Sequence, residues 1–150
     1  MQHQGIRLET AVAASTYYMG FNMLDPVVGG RTDQEKAAAR KLRQAISIAV
    51  DYEEYVSIFA NGRGIPAQGP IPPGIIGYRD GKRGVNSTVH QWIDGRIKRR
   101  SIEEAKKLLT EAGYPDGIDI KTGAPLVLYF DATSRSADDK SVLDWMRKQF

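Results

Sequence analysis

The segment that most restricts the fold is NGRGIPAQGPIPPGIIGYRDG at residues 61–81, which contains six glycines and four prolines. Proline fixes φ and lacks an N–H donor, whereas glycine adopts backbone conformations that other residues avoid. The segment can therefore be neither a helix interior nor a central strand. Structureless loops of this length are uncommon in small domains and are usually functional or act as linkers. We call this segment the Gly/Pro loop and interpret it either as a stiff wall of a binding cleft or as a rigid strap over the core.

The composition fits one domain with a buried core, because the chain has 150 residues of which 41% are hydrophobic. No apolar run approaches the roughly 20 residues of a transmembrane helix, and the first thirty residues lack the order of a secretory signal peptide. The absence of cysteine excludes a disulfide framework and thiolate metal sites. These features leave the cellular location open.

The net charge of +3 makes nucleic acid a candidate partner, since phosphate binding requires clustered lysine and arginine. The densest cluster is GRIKRR at residues 95–100. It contains no aromatic residue on which a base could stack. We interpret it as a solvated turn that leads into a helix, and we expect no nucleic-acid partner.

Two amphipathic helices are predicted before the Gly/Pro loop. The first follows a cap at Thr32 or Asp33, and the second follows a cap at Asp51 and extends to about residue 60. The predicted inward-facing residues are Ala38, Leu42, Ala45, Ile46, Ala49 and Val50 in the first helix and Tyr55, Val56 and Phe59 in the second.

Two further helices are predicted after the loop. One starts at a capping box of Ser101 and Glu104 and ends at Gly113, where a left-handed cap belongs. The other is predicted over residues 138–150. The predicted inward-facing residues are Ile102, Ala105, Leu108 and Leu109 in the third helix and Val142, Leu143, Trp145, Met146 and Phe150 in the fourth.

Two strands are predicted from β-forming residues, one at STYYMGFNM (residues 15–23) and one at LVLYF (residues 126–130). Residues 85–100 receive no assignment, although Trp92 and Ile93 are expected to dock this stretch onto the core. The resulting element order predicts an α/β fold in which helices pack on a small mixed sheet.

No catalytic or metal-binding constellation is evident in the sequence. The two histidines, His3 and His90, are far apart and lie outside metal-binding motifs. The adjacent acid pairs 53/54, 103/104 and 138/139 occur at helix starts, where negative charge favours the helix dipole, so we interpret them as capping residues. We therefore predict that the protein is not an enzyme and holds neither a metal ion nor a cofactor.

Three segments taken together resemble the extracellular solute-binding proteins of bacterial peptide-type ABC importers, family 5. They are YYMGFNM, then LRQAISIAVDYEEYVSIFANGRGIPAQGPIPPGIIGY, then IEEAKKLLTEAGYPDGIDI. The resemblance lies in the Phe-Asn that ends the aromatic strand, the Arg-x-Ala and Ala-x-Asp of the following helix, the Ala-x-x-Pro-x-Pro-Pro loop, and the Ala-Lys-x-Leu-Leu-x-Glu-Ala-Gly-Tyr helix.

This resemblance implies that residues 1–150 form a single partial domain, an internal piece of the C-terminal lobe of a two-lobed binding protein. Such proteins close over a peptide or another small solute and deliver it to a membrane permease. The signal peptide and the other lobe would lie outside this sequence. The implied location is periplasmic or extracellular, either free or as a membrane-anchored lipoprotein.

The resemblance also indicates candidate ligand-binding residues. The loop between the second predicted strand and the last helix corresponds to a contact for the ligand carboxylate, and it contains Ser134, Arg135 and Ser136. The planar guanidinium of Arg135 suits a carboxylate, and the helix N-terminus adds partial positive charge. The predicted set of ligand-binding residues is completed by Asn22 and by Gln68 in the Gly/Pro loop. Asn22 is also expected to anchor its loop by hydrogen bonds to its own nearby backbone.

Several alternatives remain open from the sequence. Relatives in the same family bind nickel complexes, opines or oligosaccharides instead of peptides. The same domain can also be fused to a DNA-binding module in a transcription regulator. A freestanding basic RNA-binding module is the third alternative, and steep salt dependence of RNA binding would support it.

Overall fold

The computed structural model describes residues 7, 9, 11, 13–133 and 136–150. Four α-helices and one two-stranded antiparallel sheet form this part of the chain. In chain order they are α1 (Asp33–Ala49), α2 (Tyr52–Phe59), β1 (His90–Ile93), β2 (Arg96–Arg99), α3 (Ile102–Glu111) and α4 (Ala137–Arg147), with short 3₁₀ turns at Gly81–Gly84 and Pro115–Gly117. No regular helix or strand forms in residues 61–80, as predicted for the Gly/Pro loop.

The helix starts are the parts of the fold that the sequence predicted best. Thr32 and Glu35 form a reciprocal capping box at the start of α1, and Ser101 and Glu104 form one at the start of α3. Each box satisfies two backbone N–H groups that the helix itself leaves without acceptors. Asp51 caps α2 by accepting a hydrogen bond of 2.9 Å from the backbone N–H of Glu54.

α1 and α3 pack against each other and form the larger part of the core. Leu42 and Ala45 are buried on α1, as predicted, and Ala105 is buried on α3. The buried face of α1 is nevertheless rotated slightly from the predicted one. It consists of Ala39, Leu42, Ala45 and Ile48, whereas Ala38, Ile46 and Ala49 are half-buried.

A second core cluster joins α2 to α4. Val50, Trp145 and Met146 are buried there, and Tyr52, Tyr55 and Phe59 pack against them. The Trp145 ring makes edge contacts with the rings of Tyr55 and Phe59, at centroid distances of 5.6 and 5.9 Å. Phe150, which was predicted to face inward, is 67% exposed because α4 ends before it, at Arg147.

β1 and β2 form a hairpin in the stretch that received no prediction. Asp94 and Gly95 link the strands with φ of 51° and 76°, as a type I′ turn requires. The interpretation of residues 95–100 as a turn before a helix was wrong, because Arg96–Arg99 pairs with His90–Ile93 as a strand. Trp92 is half-buried, whereas Ile93 is 37% exposed and does not dock as expected.

The two predicted strands do not form in the described residues, so the predicted mixed sheet is wrong there. Residues 15–22 and 126–130 are assigned to no strand, and only Pro125 makes an isolated bridge, to Ile118. We call residues 15–22 and 126–133 the extended segments. A strand needs a neighbour for its backbone N–H and C=O groups, and no described segment provides one along their length.

Arg99 connects the hairpin to the end of α1, whose last turn contains no basic residue. Its guanidinium donates to the backbone oxygens of Ile48 and Ala49 and forms an ion pair with Asp51. A cation at a helix C-terminus is favourable because the last carbonyl groups carry partial negative charge. The contact fixes the hairpin against the junction of α1 and α2.

Candidate functional site

The Gly/Pro loop is held in place by Gln68, one of the predicted ligand-binding residues. The side-chain amide of Gln68 donates to the carbonyl of Pro66 at 3.3 Å, and its Oε1 accepts from the backbone N–H of Asn86 at 3.1 Å. Thr16 in the first extended segment donates to the carbonyl of Pro70 at 3.5 Å. The loop therefore contacts both the approach to β1 and the first extended segment.

Asn22 anchors its own loop, as expected from the sequence. Its Oδ1 accepts from the backbone N–H of Leu24 at 3.1 Å, and its carbonyl accepts from the N–H of Asp25 at 3.0 Å. Asp25 continues the turn by accepting from Val27 and Val28. These hydrogen bonds shape the turn through which the first extended segment is connected to α1.

Arg43 completes this connection from α1. Its guanidinium donates to the backbone oxygen of Val28, in the turn that follows the first extended segment. Arg43 therefore has a structural role, as a hydrogen-bond donor to the backbone of this turn.

Of the three predicted residues in the loop before α4, only Ser136 lies within the described part. It is the N-cap of α4, where its Oγ accepts from the backbone N–H of Asp139 at 3.2 Å. Ser134 and Arg135 lie outside the described residues. The first turn of α4 contains Asp138 and Asp139, so this helix start carries negative as well as partial positive charge.

The extended segments display large aromatic side chains to solvent. Tyr17 and Tyr18 are 94% and 84% exposed in the first segment, and Tyr129 is 89% exposed in the second. Phe130 and Val127 are each more than half exposed. Exposed apolar surface of this kind is typical of a face that contacts another part of a protein or a ligand.

Two polar contacts that α2 makes with the rest of the fold were not predicted from the sequence. His90 is buried, and its Nε2 lies 2.7 Å from Oε1 of Glu53. Trp145 donates through its indole N–H to Glu54 at 2.8 Å. Glu53 and Glu54 therefore connect α2 to the hairpin and to α4, beyond the capping role that their position at a helix start suggested.

His90 lies inside the fold, where it packs between the hairpin and α2. The described residues contain no group of three or more His, Cys, Asp or Glu side chains that could hold a metal ion. The Asp-Gly dipeptide at the hairpin turn is the signal that could have located His90, because a two-residue turn fixes the strand register and places His90 opposite Arg99.

Two shallow cavities lie on the helical side of the structure. One of about 360 Å³ is lined by residues at the ends of α1 and α4 and by Arg99 and Arg100. The other, of about 350 Å³, lies between α1 and α3 and includes Thr88. Neither cavity is lined by Asn22, Gln68 or Ser136, so these predicted residues face other surfaces of the described chain.

The carboxylates of Glu35, Glu104 and Glu111, on α1 and α3, have lowered pKa values. Backbone N–H groups of Thr32 and Arg31 lower the pKa of Glu35. The backbone N–H of Ser101, and then the Arg100 guanidinium, lower the pKa of Glu104. A hydrogen bond from Lys41, and then its charge, lower the pKa of Glu111. All three groups are more stable ionised in the folded chain than in the unfolded chain.

Acidification is therefore expected to destabilise the α1–α3 pair. A carboxylate whose pKa is lowered by folding contributes stability above its unfolded pKa, about 4.3 for glutamate, and this contribution is lost as pH falls through the folded value. Urea unfolding should show a free energy that is nearly constant above about pH 5.5 and declines below about pH 4.5. The decline should be smaller in Glu104→Gln, and equal pH dependence in both chains would contradict the assignment.

Comparison with known proteins identifies the group to which this chain is related. The family model for bacterial extracellular solute-binding proteins, family 5 Middle, matches residues 2–150. The chain is similar to the heme-binding protein A of Haemophilus influenzae, with 34% identity over 79 residues, which are 53% of this chain and 12% of that protein. It is also similar to the dipeptide-binding protein of Escherichia coli K12, with 29% identity over 108 residues, which are 71% of this chain and 18% of that protein.

The matched segments thus cover less than one fifth of the length of either curated relative. No solved structure matches the chain significantly. Within the described residues, none of the helices has the length and apolar character that crossing a bilayer requires. The family consists of proteins that bind solutes for ABC importers and catalyse no reaction. Since its model matches nearly the whole sequence, the chain belongs to the bacterial extracellular solute-binding proteins of family 5.

Proposed function

We propose that this chain is part of the C-terminal lobe of a two-lobed binding protein that closes over a peptide and delivers it to an ABC permease. The observation that carries this proposal is the similarity to a dipeptide-binding protein over 71% of the chain, within a family match that extends over residues 2–150. The chain then acts outside the cytoplasm, as a partial domain of a longer polypeptide.

The distribution of rigid and exposed parts supports a role as one wall of a cleft. α1, α3 and the hairpin form the packed support. The Gly/Pro loop is joined to it through Gln68, and the turn that follows the first extended segment is joined to it through Arg43. A loop stiffened by prolines has little entropy to lose when a ligand binds. The exposed aromatic residues of the extended segments provide the apolar surface that a second wall or a ligand would cover.

The chemistry proposed for ligand recognition is capture of a peptide carboxylate by Arg135, Ser134 and Ser136. A guanidinium presents two parallel donors that match the two oxygens of a carboxylate, and serine hydroxyls add donors beside it. Ser136 accepts a hydrogen bond as the cap of α4 and keeps its own O–H available for donation. Asn22 and Gln68 are the further proposed ligand contacts, and their observed hydrogen bonds fix the loops that carry them.

Heme is the second candidate ligand, because the similar protein from Haemophilus influenzae is a heme-binding protein. An exposed histidine would favour heme, since imidazole is a common axial ligand. In the described residues the imidazole of His90 is buried against Glu53, so it does not provide such a ligand. Peptide is therefore the preferred ligand.

The test is calorimetric titration of the complete gene product with a set of dipeptides and tripeptides. Arg135→Ala is expected to weaken peptide binding about 10- to 100-fold, because a charge-assisted hydrogen bond to the carboxylate is lost. Arg147→Ala is the matched control, since Arg147 is 80% exposed on α4 and pairs only with Asp144 in the described structure.

The two candidate ligands give different results in the same experiment. Peptide binding that is sensitive to Arg135 and insensitive to Arg147 supports the proposal. A strong absorbance change on heme titration together with no heat from peptides would replace peptide by heme. Peptide binding that is equally strong in both variants would show that Arg135 is not the carboxylate contact.

A further inference from the structure

A group of five cations forms a surface that solute binding does not explain. They are Arg79, Lys82, Arg83, Arg96 and Lys98, which we call the basic patch. All five are exposed, and they come from two segments, the 3₁₀ turn with its approach and strand β2. The turn at Gly81–Gly84 packs against β2, so the two segments that carry the cations are neighbours in the fold.

The hairpin register separates these cations from the structural arginine of the same strand. Side chains alternate across a strand, so Arg96 and Lys98 point to one face and Arg99 to the other. Arg99 is turned inward and binds Asp51 and the end of α1. Arg96 and Lys98 therefore have no part in holding the hairpin on the core.

None of the five cations forms an ion pair with another described residue. Ion pairs are formed by six other basic residues, namely Arg7, Lys36, Lys41, Arg99, Arg100 and Arg147. Two carboxylates lie in the same segments, at the N-cap of the 3₁₀ turn and in the hairpin turn. Asp80 accepts from the N–H of Gly81 at 2.6 Å, and Asp94 occupies a position with positive φ. Five cations against two carboxylates leave this surface with an excess of three positive charges.

Exposed apolar side chains lie beside the cations. Ile93 is opposite Arg96 in the hairpin register, so it shares the face of Arg96 and Lys98, and it is 37% exposed. Tyr78, directly before Arg79, is 38% exposed. Basic residues combined with exposed apolar side chains suit the boundary between lipid headgroups and acyl chains, where long cations reach phosphate and apolar groups enter the interface.

We propose that the basic patch is a docking surface for an anionic phospholipid bilayer. The proposal rests on charge and apolar composition and goes beyond the binding of a solute. Nucleic acid fits less well, because β2 contains no aromatic ring beside Arg96 and Lys98 on which a base could stack. Attraction to an anionic surface is long-ranged and weakens when salt shortens the Debye length.

The experiment is co-sedimentation of the chain with vesicles of phosphatidylcholine alone or mixed equally with phosphatidylglycerol. Binding is expected only to the mixed vesicles, and it should fall steeply between about 0.05 and 0.5 M NaCl. The double variant Arg96→Gln, Lys98→Gln should reduce the partition coefficient by at least about tenfold, since each cation near an anionic surface contributes several-fold to binding.

The matched control removes the same number of charges elsewhere. Lys106→Gln, Lys107→Gln neutralises two exposed lysines on α3 and should reduce the partition coefficient by no more than about threefold. Circular dichroism melts check that both double variants are folded.

Three outcomes would overturn the proposal. The first is absence of binding to the mixed vesicles at low salt, and the second is an equal loss in both double variants. The third is tighter binding of the chain to a single-stranded RNA homopolymer than to the mixed vesicles, which would assign the patch to nucleic acid.

Discussion

Trp145→Ala is expected to lower the free energy of unfolding by about 3–5 kcal/mol, in the range measured for large aromatic residues truncated in a core. Trp145 is 8% exposed and contacts the rings of Tyr55 and Phe59. Its loss opens a cavity in the cluster that joins α2 to α4. The indole also donates to Glu54 at 2.8 Å, so the substitution removes a hydrogen bond to a charged acceptor.

A pair of variants separates the two contributions of Trp145. Trp145→Phe keeps most of the ring packing and loses the N–H donor, so it should cost about 1.5–3 kcal/mol, the usual range for a hydrogen bond to a charged group. Tyr129→Ala is the control for loss of an aromatic side chain, because Tyr129 is 89% exposed, and it should change stability by less than about 0.5 kcal/mol. Urea unfolding followed by circular dichroism measures all three.

The outcome also tests whether α4 belongs to the cooperative core. If Trp145→Ala is as stable as the unmodified chain, the cluster around Val50 contributes little and α4 is bound only loosely. If Trp145→Ala does not fold, the smaller loss of unfolding free energy expected for Trp145→Phe still tests the contribution of Trp145.

Helices could be predicted from the sequence because the signals that start and stop them are local. The capping boxes at Thr32 and Ser101 are each contained within four residues, and the left-handed Gly113 has φ of 97° directly after α3. Such contacts form within one turn and depend little on the remainder of the fold. This locality explains why the predicted and observed helix starts agree to within about one residue.

Strands could not be predicted equally well because their stability depends on a neighbour. Residues 126–130 have high β-propensity, yet they find no partner along their length within the described chain. Conversely, β1 and β2 contain glutamine, lysine and arginine and have weak β-propensity, but a two-residue turn brings them together. In both cases the presence or absence of a pairing partner decided whether a strand formed. The Asp-Gly dipeptide was the sequence signal that indicated the hairpin.

The candidate site is predictable only in its supporting contacts. The hydrogen bond of Asn22 to its own nearby backbone is predictable because the asparagine side chain is short. The helix-capping hydrogen bond of Asp51 is predictable from its place directly before a helix. The link from Gln68 to Asn86 joins residues 18 positions apart, and no periodicity predicts it. The ligand-contact roles of Arg135, Ser134, Ser136, Asn22 and Gln68 stay predictions that binding experiments must decide.

Leu42→Ala is expected to lower the free energy of unfolding by about 2–5 kcal/mol. The side chain of Leu42 is fully buried, at 0% exposure, in the face that α1 presents to α3. Its neighbours on that face, Ala39 and Ala45, are small, so they cannot extend to fill the space that the removed methyl groups leave. A site that collapses poorly keeps its cavity, and the expected cost therefore lies in the upper half of the range.

The matched control is Leu24→Ala, which makes the same chemical change at a side chain that is 94% exposed and should alter stability by less than about 0.5 kcal/mol. Urea unfolding of both variants gives the difference directly. A loss below about 1 kcal/mol for Leu42→Ala would mean that α1 and α3 do not form the main core of this chain. The α1–α3 pair supports the hairpin through Arg99 and, through Arg43, the turn that follows the first extended segment, so its loss should also release both from their observed positions. Proteolysis in that variant should then cut first near residues 15–22 and 85–100, because chain segments freed from packing are the preferred sites of cleavage.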